Sequence, residues 1–231
     1  MLRELLSLFR SDTPLAAMGQ NFAQMLAVAH DMTLRAGDIY FSAEPAAPDE
    51  RTQIYKSDVQ VNKLQRTIRK QVIAHLSLGK DPPSLPYCLL LMSLVKDVER
   101  MGDYAKNLSE VRELHPAPLP DDQILAELQE IRRGVETAFS ASATVFETSD
   151  QERAMMLIRQ GRDLTHRCDA LVERVARSSY GARSATAVVL GARFYKRIGA
   201  HVLNVLSSVV MPLHKLDYYD ERYLGTDEDD S

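Results

Sequence analysis

Apolar residues recur three and four positions apart over long stretches of this chain, while alternation with a period of two is almost absent; the chain is thereby confined to helices. Three proline-bearing segments interrupt the pattern: SAEPAAPDE (Ser42 to Glu50), GKDPPSLP (Gly79 to Pro86) and HPAPLPDD (His115 to Asp122). Proline lacks the backbone donor and its ring clashes with the preceding turn, so each segment ends a helix. The first half is thus cut into three helices. In the second half, amphipathic stretches run from about Asp121 to Thr148, from Asp150 to Ser179 and from Arg183 to about Leu216. Asp121 and Asp150 are the expected N-terminal caps or first-turn acids, and Tyr180-Gly181 breaks the chain between the last two helices. Helices of roughly 28 to 35 residues draw their stability from lateral packing of an apolar stripe, which favours an antiparallel bundle. The expected fold class is all-α: six long helices as two tandem three-helix bundles of spectrin-like type.

The two sets of three are related by internal duplication. The third helix reads VERMGDYAKNL (Val98 to Leu108) and the sixth YKRIGAHVLNV (Tyr195 to Val205). Arg100, Gly102 and Asn107 return as Arg197, Gly199 and Asn204, with Val202 at the next apolar step, in corresponding helices of the two halves. Glycine inside a helix costs about 1 kcal/mol relative to alanine, so Gly102 and Gly199 are expected to admit close approach of a neighbouring helix.

With 231 residues, 45% hydrophobic and 26% charged, the chain can bury one sizeable core or two small ones side by side. A formal charge of -4 and the lack of a long Lys/Arg block argue against a nucleic-acid partner. Cys88 and Cys168 have no CxxC pairing or nearby histidine, which suits buried thiols in a reducing cytosol rather than a disulfide. The longest apolar run, Leu85 to Val95, contains Pro86 and stops at Lys96 and Asp97, well short of the ~20 residues that span a bilayer. The first residues, MLRELLSLFR, place Leu2, Leu5, Leu6 and Phe9 on one face without the cleavage site of a secretory signal. This amphipathic segment is expected to dock on a partner, a membrane surface or its own bundle. The end, TDEDDS after DYYDERYL, reads as a solvated acidic tail, with Tyr218, Tyr219 and Tyr223 capping the bundle.

Glu99 and Asp103 lie four apart on the third helix, on the face opposite the stripe Leu91, Leu94, Val98, Met101, Ala105 and Leu108. Asp58 and Asn62 repeat that spacing one helix earlier. Two neighbouring helices presenting oxygen ligands to one another would suit a hard cation. The competing reading is a solvated face on which Lys96 and Lys106, three residues to either side, supply ordinary salt bridges.

The segment VKDVERMGDYAKN (Val95 to Asn107) resembles the PhoU family of phosphate-signalling proteins through the string Glu99-Arg100-Met101-Gly102-Asp103. The preceding helix agrees: YKSDVQVNKLQ is similar to that family's acidic segment through Asp58, Val61 and Asn62. The resemblance runs from about Asp12 to Leu216. It implies a PhoU-like first repeat over 12–116 and a second over 117–217, flanked by the N-terminal segment 1–11 and the tail 218–231. It further implies a cytoplasmic regulator of phosphate uptake and phosphate-starvation signalling, and the apolar spacing along the helices is compatible with a homodimer. Such a protein would act by contact with phosphate transporter components or a sensor kinase at the inner membrane face. A metal at Asp58, Asn62, Glu99 and Asp103 is implied as well, divalent or ferric, with Fe, Mg, Mn, Ca and Zn left open. The second half departs from the pattern: Lys196 stands for Glu99, Ala200 for Asp103, and Gly161 and Thr165 fall roughly where Asp58 and Asn62 belong. A lysine ammonium repels a cation, so the second repeat is expected to be empty, and His201 beside Ala200 is read as structural. That decay keeps open a diverged accessory protein of another phosphate carrier, or a metal-binding or structural helical interaction protein.

Enzymatic readings find little support in the sequence. A ferritin-like di-iron oxidase needs Glu-x-x-His on two helices, and none of the six histidines has Glu three residues before it. Asp163 and His166 form a solitary Asp-x-x-His, read as polar surface. No P-loop, GxSxG or HExxH appears. The expected mode of action is binding, not turnover.

Overall fold

The computed structural model describes residues 14–44, 47–78, 82–115 and 117–216. Among them are six long helices and no strand: α1 (Pro14–Phe41), α2 (Pro48–Ser77), α3 (Leu85–Leu114), α4 (Gln123–Thr148), α5 (Gln151–Ala176) and α6 (Ala182–Val210). Single 3-10 turns at Pro82–Ser84 and Leu213–Lys215 precede α3 and follow α6. The proline segments separate the helices as their chemistry requires. The N-terminal amphipathic segment and the acidic tail with its tyrosines lie outside the described residues.

Local chemistry adjusts three boundaries. Asp122, not Asp121, caps α4: its Oδ1 accepts the backbone N–H of Ile124 and Leu125 at 2.9 and 3.1 Å, while Oδ2 accepts the Tyr180 hydroxyl at 2.6 Å. Asp150 caps α5 as expected, accepting from the Arg153 N–H at 3.0 Å. The apolar pattern of α6 runs on past Val210, but Met211 is extended and Pro212 prevents another helical turn, so the helix stops short of Leu216. Likewise α5 ends at Ala176 rather than Ser179.

Within the first unit, α1, α2 and α3 pack on one another; α4, α5 and α6 do the same in the second. The units join through α3 against α6 and α1 against α4, which leaves α2 and α5 on the two flanks. The α1–α4 pair is antiparallel, since Phe22 meets Phe146 at 5.0 Å between ring centres and Asp38 meets Arg132 at the other end. Asn21 donates to Gln71 at 3.0 Å, and Gln151 to the Val209 carbonyl at 3.4 Å. One end of the molecule therefore gathers the start of α1, the α2–α3 and α4–α5 connections and the end of α6. The core stripe expected on α3 is fully buried, from Leu91 through Leu108. Cys88 and Cys168 are buried free thiols, and burial pushes the Cys168 thiol up to about 12. Among the described residues no helix is long and apolar enough to cross a membrane.

The glycines that admit close approach are not those of the repeated motif. A Cβ on Gly102 would sit 3.7 Å from Met32 and Val61, an ordinary contact, and one on Gly199 3.4 Å from Val135. A Cβ on Gly191 of α6, by contrast, would land on the Tyr40 hydroxyl and within 2.5 Å of its Cζ. One on Gly37 of α1 would fall 2.6 Å from the Tyr195 hydroxyl and 2.8 Å from Arg132. Each unit thus inserts a buried tyrosine over a glycine of the other, and Tyr40 donates to the Ala187 carbonyl at 3.0 Å. Gly191→Ala is expected to cost about 2 kcal/mol through overpacking of a ring with no free volume. Gly102→Ala should be neutral or stabilise by up to about 1 kcal/mol, because only helix propensity changes. Urea denaturation of the two variants checks the contrast; equal effects would refute it.

Candidate functional site

Burial of Val61, Leu64 and Ile68 on α2 against α3 turns Asp58 and Asn62 toward the groove between the two helices. Burial of Met101 and Ala105 does the same for Glu99 and Asp103 on α3. At the centre stands Lys106, whose Nζ lies 3.3 Å from Asp58 Oδ2 and 3.6 Å from Asp103 Oδ1. Asn62 donates to Asp58 Oδ2 at 3.5 Å. Arg100 reaches the outer side, Nη1 at 3.3 Å from Asp103 Oδ2 and Nε at 3.8 Å from Glu99 Oε2. Lys106 holds the sheltered position, because its side chain is 23% exposed and that of Arg100 is 51%.

The electrostatics follow from this layout. Partial burial, and then the neighbouring carboxylates of Asp103 and Asp58, hold Glu99 above the ordinary carboxylate range against the pull of Arg100. Burial works against the charge on Lys106, but Asp58 and Asp103 outweigh it and raise its pKa. All four residues expected at the site are thus on one α2–α3 face, with Asp58 and Asp103 drawn together through Lys106. Lys96 is exposed, away from that grip. Among the described residues no group of three or more His, Cys, Asp or Glu side chains converges as a ready cation cage. The donor set itself, carboxylate and amide oxygen, is of the kind a hard cation takes.

The counterpart in the second unit is apolar. Gly161, Thr165, Lys196 and Gly199 line one small pocket together with Leu164, Cys168 and Leu203, so the sequence correspondence places them together in space. Lys196 turns outward to Asp169, with its Nζ at 2.7 and 2.6 Å from the two carboxylate oxygens. The Thr165 hydroxyl donates to the Gly161 carbonyl at 3.1 Å. Asp163 and His166 are both exposed on α5.

Two charged residues that sequence reasoning passed over are buried. Asp97 is 2% exposed in α3, and its Oδ1 takes His201 Nδ1 and Asn204 Nδ2 of α6, each at 2.8 Å. Tyr104 stacks on the His201 ring at 5.8 Å. The signal was present: Asp97 falls three after Leu94 and four before Met101, on the buried stripe, while Asn204 belongs to the repeated motif. Arg112, 5% exposed at the end of α3, donates to the carbonyls of His115, Ala117 and Ala43.

Residues 22–111, which lie within the first three-helix unit, match the PhoU domain family. Among solved structures, the chain is similar to PhoU from Pseudomonas aeruginosa, with a TM-score of 0.79 at 16% identity over 89% of this chain and 99% of that one. It is similar as well to the phosphate transport system regulatory protein PhoU from Streptococcus pneumoniae. There the TM-score is 0.72 at 15% identity over 87% and 95% of the two chains. No curated protein sequence matches the chain. The first unit thus matches the PhoU domain, and the two units together have the fold of solved PhoU proteins.

Proposed function

We propose that this protein regulates inorganic phosphate uptake and phosphate-starvation signalling by protein contact, without turnover. It would work as a homodimer in the cytoplasm, at the inner face of the membrane, on transporter components or a sensor kinase. The observation that carries the reading is the PhoU domain match over residues 22–111, a span that includes the α2–α3 face bearing Asp58, Asn62, Glu99 and Asp103. The repeats would divide near residues 116 and 117, in the proline-bearing linker. A strain lacking the protein should show altered phosphate uptake and altered expression of phosphate-starvation genes; no change in either removes this reading. If uptake through a different carrier changes while starvation genes stay silent, the accessory-protein alternative holds.

We infer also that the four oxygen-bearing residues of the first unit hold a hard divalent or ferric cation in competition with Lys106. The metal would supply positive charge at a surface that partners touch, a charge Lys106 provides otherwise. Elemental analysis of protein purified without chelator tests this. Lys106→Ala should raise metal content, and Glu99→Ala with Asp103→Ala should remove it. Stoichiometric metal that survives the double substitution rejects the site, and so does Lys106→Ala without effect.

A further inference from the structure

The exposed apolar side chains of the molecule are unevenly placed. Ile73, Leu78, Leu85 and Leu89, between 45% and 71% exposed, gather at the tip of the α2–α3 hairpin. Ile73 also ends a ridge along the outer face of α2: Val59, Lys63, Arg66, Lys70 and Ile73 follow one another at helical spacing, all exposed. From Val59 to Leu78 and from Leu85 to Lys96 the chain carries Lys63, Arg66, Arg69, Lys70 and Lys96 and not one Asp or Glu. The adjoining start of α1 is uncharged up to His30. In a chain of net charge -4 this concentration of cations is a local inversion of sign. The connection itself contributes Lys80 and Asp81, which lie outside the described residues.

We infer that this tip and ridge form a docking surface for an anionic lipid bilayer. The order of chemistry along the hairpin carries the choice of occupant. Four aliphatic side chains come first, and the cations stand behind them on the exposed face of α2. A hairpin laid obliquely on a membrane would put leucines into the acyl boundary while Lys63, Arg66 and Lys70 meet lipid phosphates. An acidic protein partner would ask for cations with no aliphatic tip ahead of them. The matching end of the second unit differs: Met155 and Met156 are exposed there, but beside Glu147, Glu152 and the capping Asp150. Docking is therefore one-sided, through α2 and α3, and it leaves the Asp58–Lys106–Asp103 cluster farther up the same hairpin close to the membrane plane. This deepens the membrane-face reading proposed above, yet it rests on the surface itself, and lipid binding is measured apart from phosphate regulation.

Co-sedimentation of the full chain with phosphatidylcholine vesicles, with and without phosphatidylglycerol, tests the inference. Binding should require phosphatidylglycerol and weaken with added salt. Neutralising Lys63, Arg66 and Lys70 together to Gln should lower partitioning about 100-fold, and Leu78→Asp with Leu85→Asp about 10-fold or more. All five side chains are exposed, and circular dichroism confirms that the variants fold. The chain has no tryptophan, so Leu78→Trp creates a single reporter whose emission should shift to the blue on phosphatidylglycerol vesicles alone. Equal binding to both vesicle types, no binding, or variants that bind like the parent would overturn it. So would binding of a polyglutamate peptide, but not of vesicles, at the same face.

Discussion

Arg112→Ala is expected to lower the unfolding free energy by about 4 kcal/mol, since each hydrogen bond from a charged donor contributes about 1.5 to 3 kcal/mol. The guanidinium gives Nη1 to the His115 carbonyl at 2.7 Å and to the Ala117 carbonyl, and Nη2 to the Ala43 carbonyl at 3.0 Å. Those acceptors lie in the α1–α2 connection and in the linker between the two units, so one side chain ties both loops to the end of α3. His115 extends the tie, its Nδ1 lying 2.7 Å from the Ala117 carbonyl and its Nε2 3.1 Å from the Ser184 hydroxyl on α6. The first contact requires Nδ1–H, and in the neutral ring that leaves Nε2 to accept from Ser184. Truncation strands the carbonyls and admits water only in part. Arg112→Lys should cost about half as much, because one ammonium cannot span the same fork. Urea denaturation followed by far-ultraviolet circular dichroism reads both, and proteolysis should quicken within the linker. A loss below about 1 kcal/mol for the alanine variant would contradict this account.

Asp97→Ala is expected to cost about 3 kcal/mol, the scale seen when one partner of a buried charged contact is removed. The carboxylate joins α3 to α6 through His201 and Asn204, and alanine leaves both donors facing an apolar interface. Asp97→Asn should cost about 1 kcal/mol, because its carbonyl oxygen can still accept. A double-mutant cycle with His201→Ala should show coupling of about 1 to 2 kcal/mol. Additive losses would mean that the two side chains act independently.

The fold was legible because its punctuation is chemical. Proline segments stop helices wherever they occur, and apolar spacing over whole helices says which face turns inward. Boundaries were less legible where neighbours compete: Asp121 and Asp122 are equally fit to cap, and only the backbone angle selects Asp122. The repeat drew attention to Gly102 and Gly199 because they match each other, whereas Gly37 and Gly191 matter because of tyrosines from the other unit, which no local pattern reveals. Asp97 and Arg112 were passed over for a related reason. Hydropathy assigns a charge to the surface, and each of the two has at least one partner more than 60 residues away in sequence, as the separations of Ala43 from Arg112 (69) and of His201 from Asp97 (104) show. At the α2–α3 face the acids and Lys106 were all visible at helical spacing, but their grouping around one ammonium belongs to the packing of two helices.

The crossed placement of Tyr40 over Gly191 and of Tyr195 over Gly37 has a mechanical consequence. A lock with a tooth and a notch on each plate cannot slip in either direction without lifting apart. A push delivered to one triple of helices is accordingly handed to the other without slack, and a partner gripping either half steers the whole body.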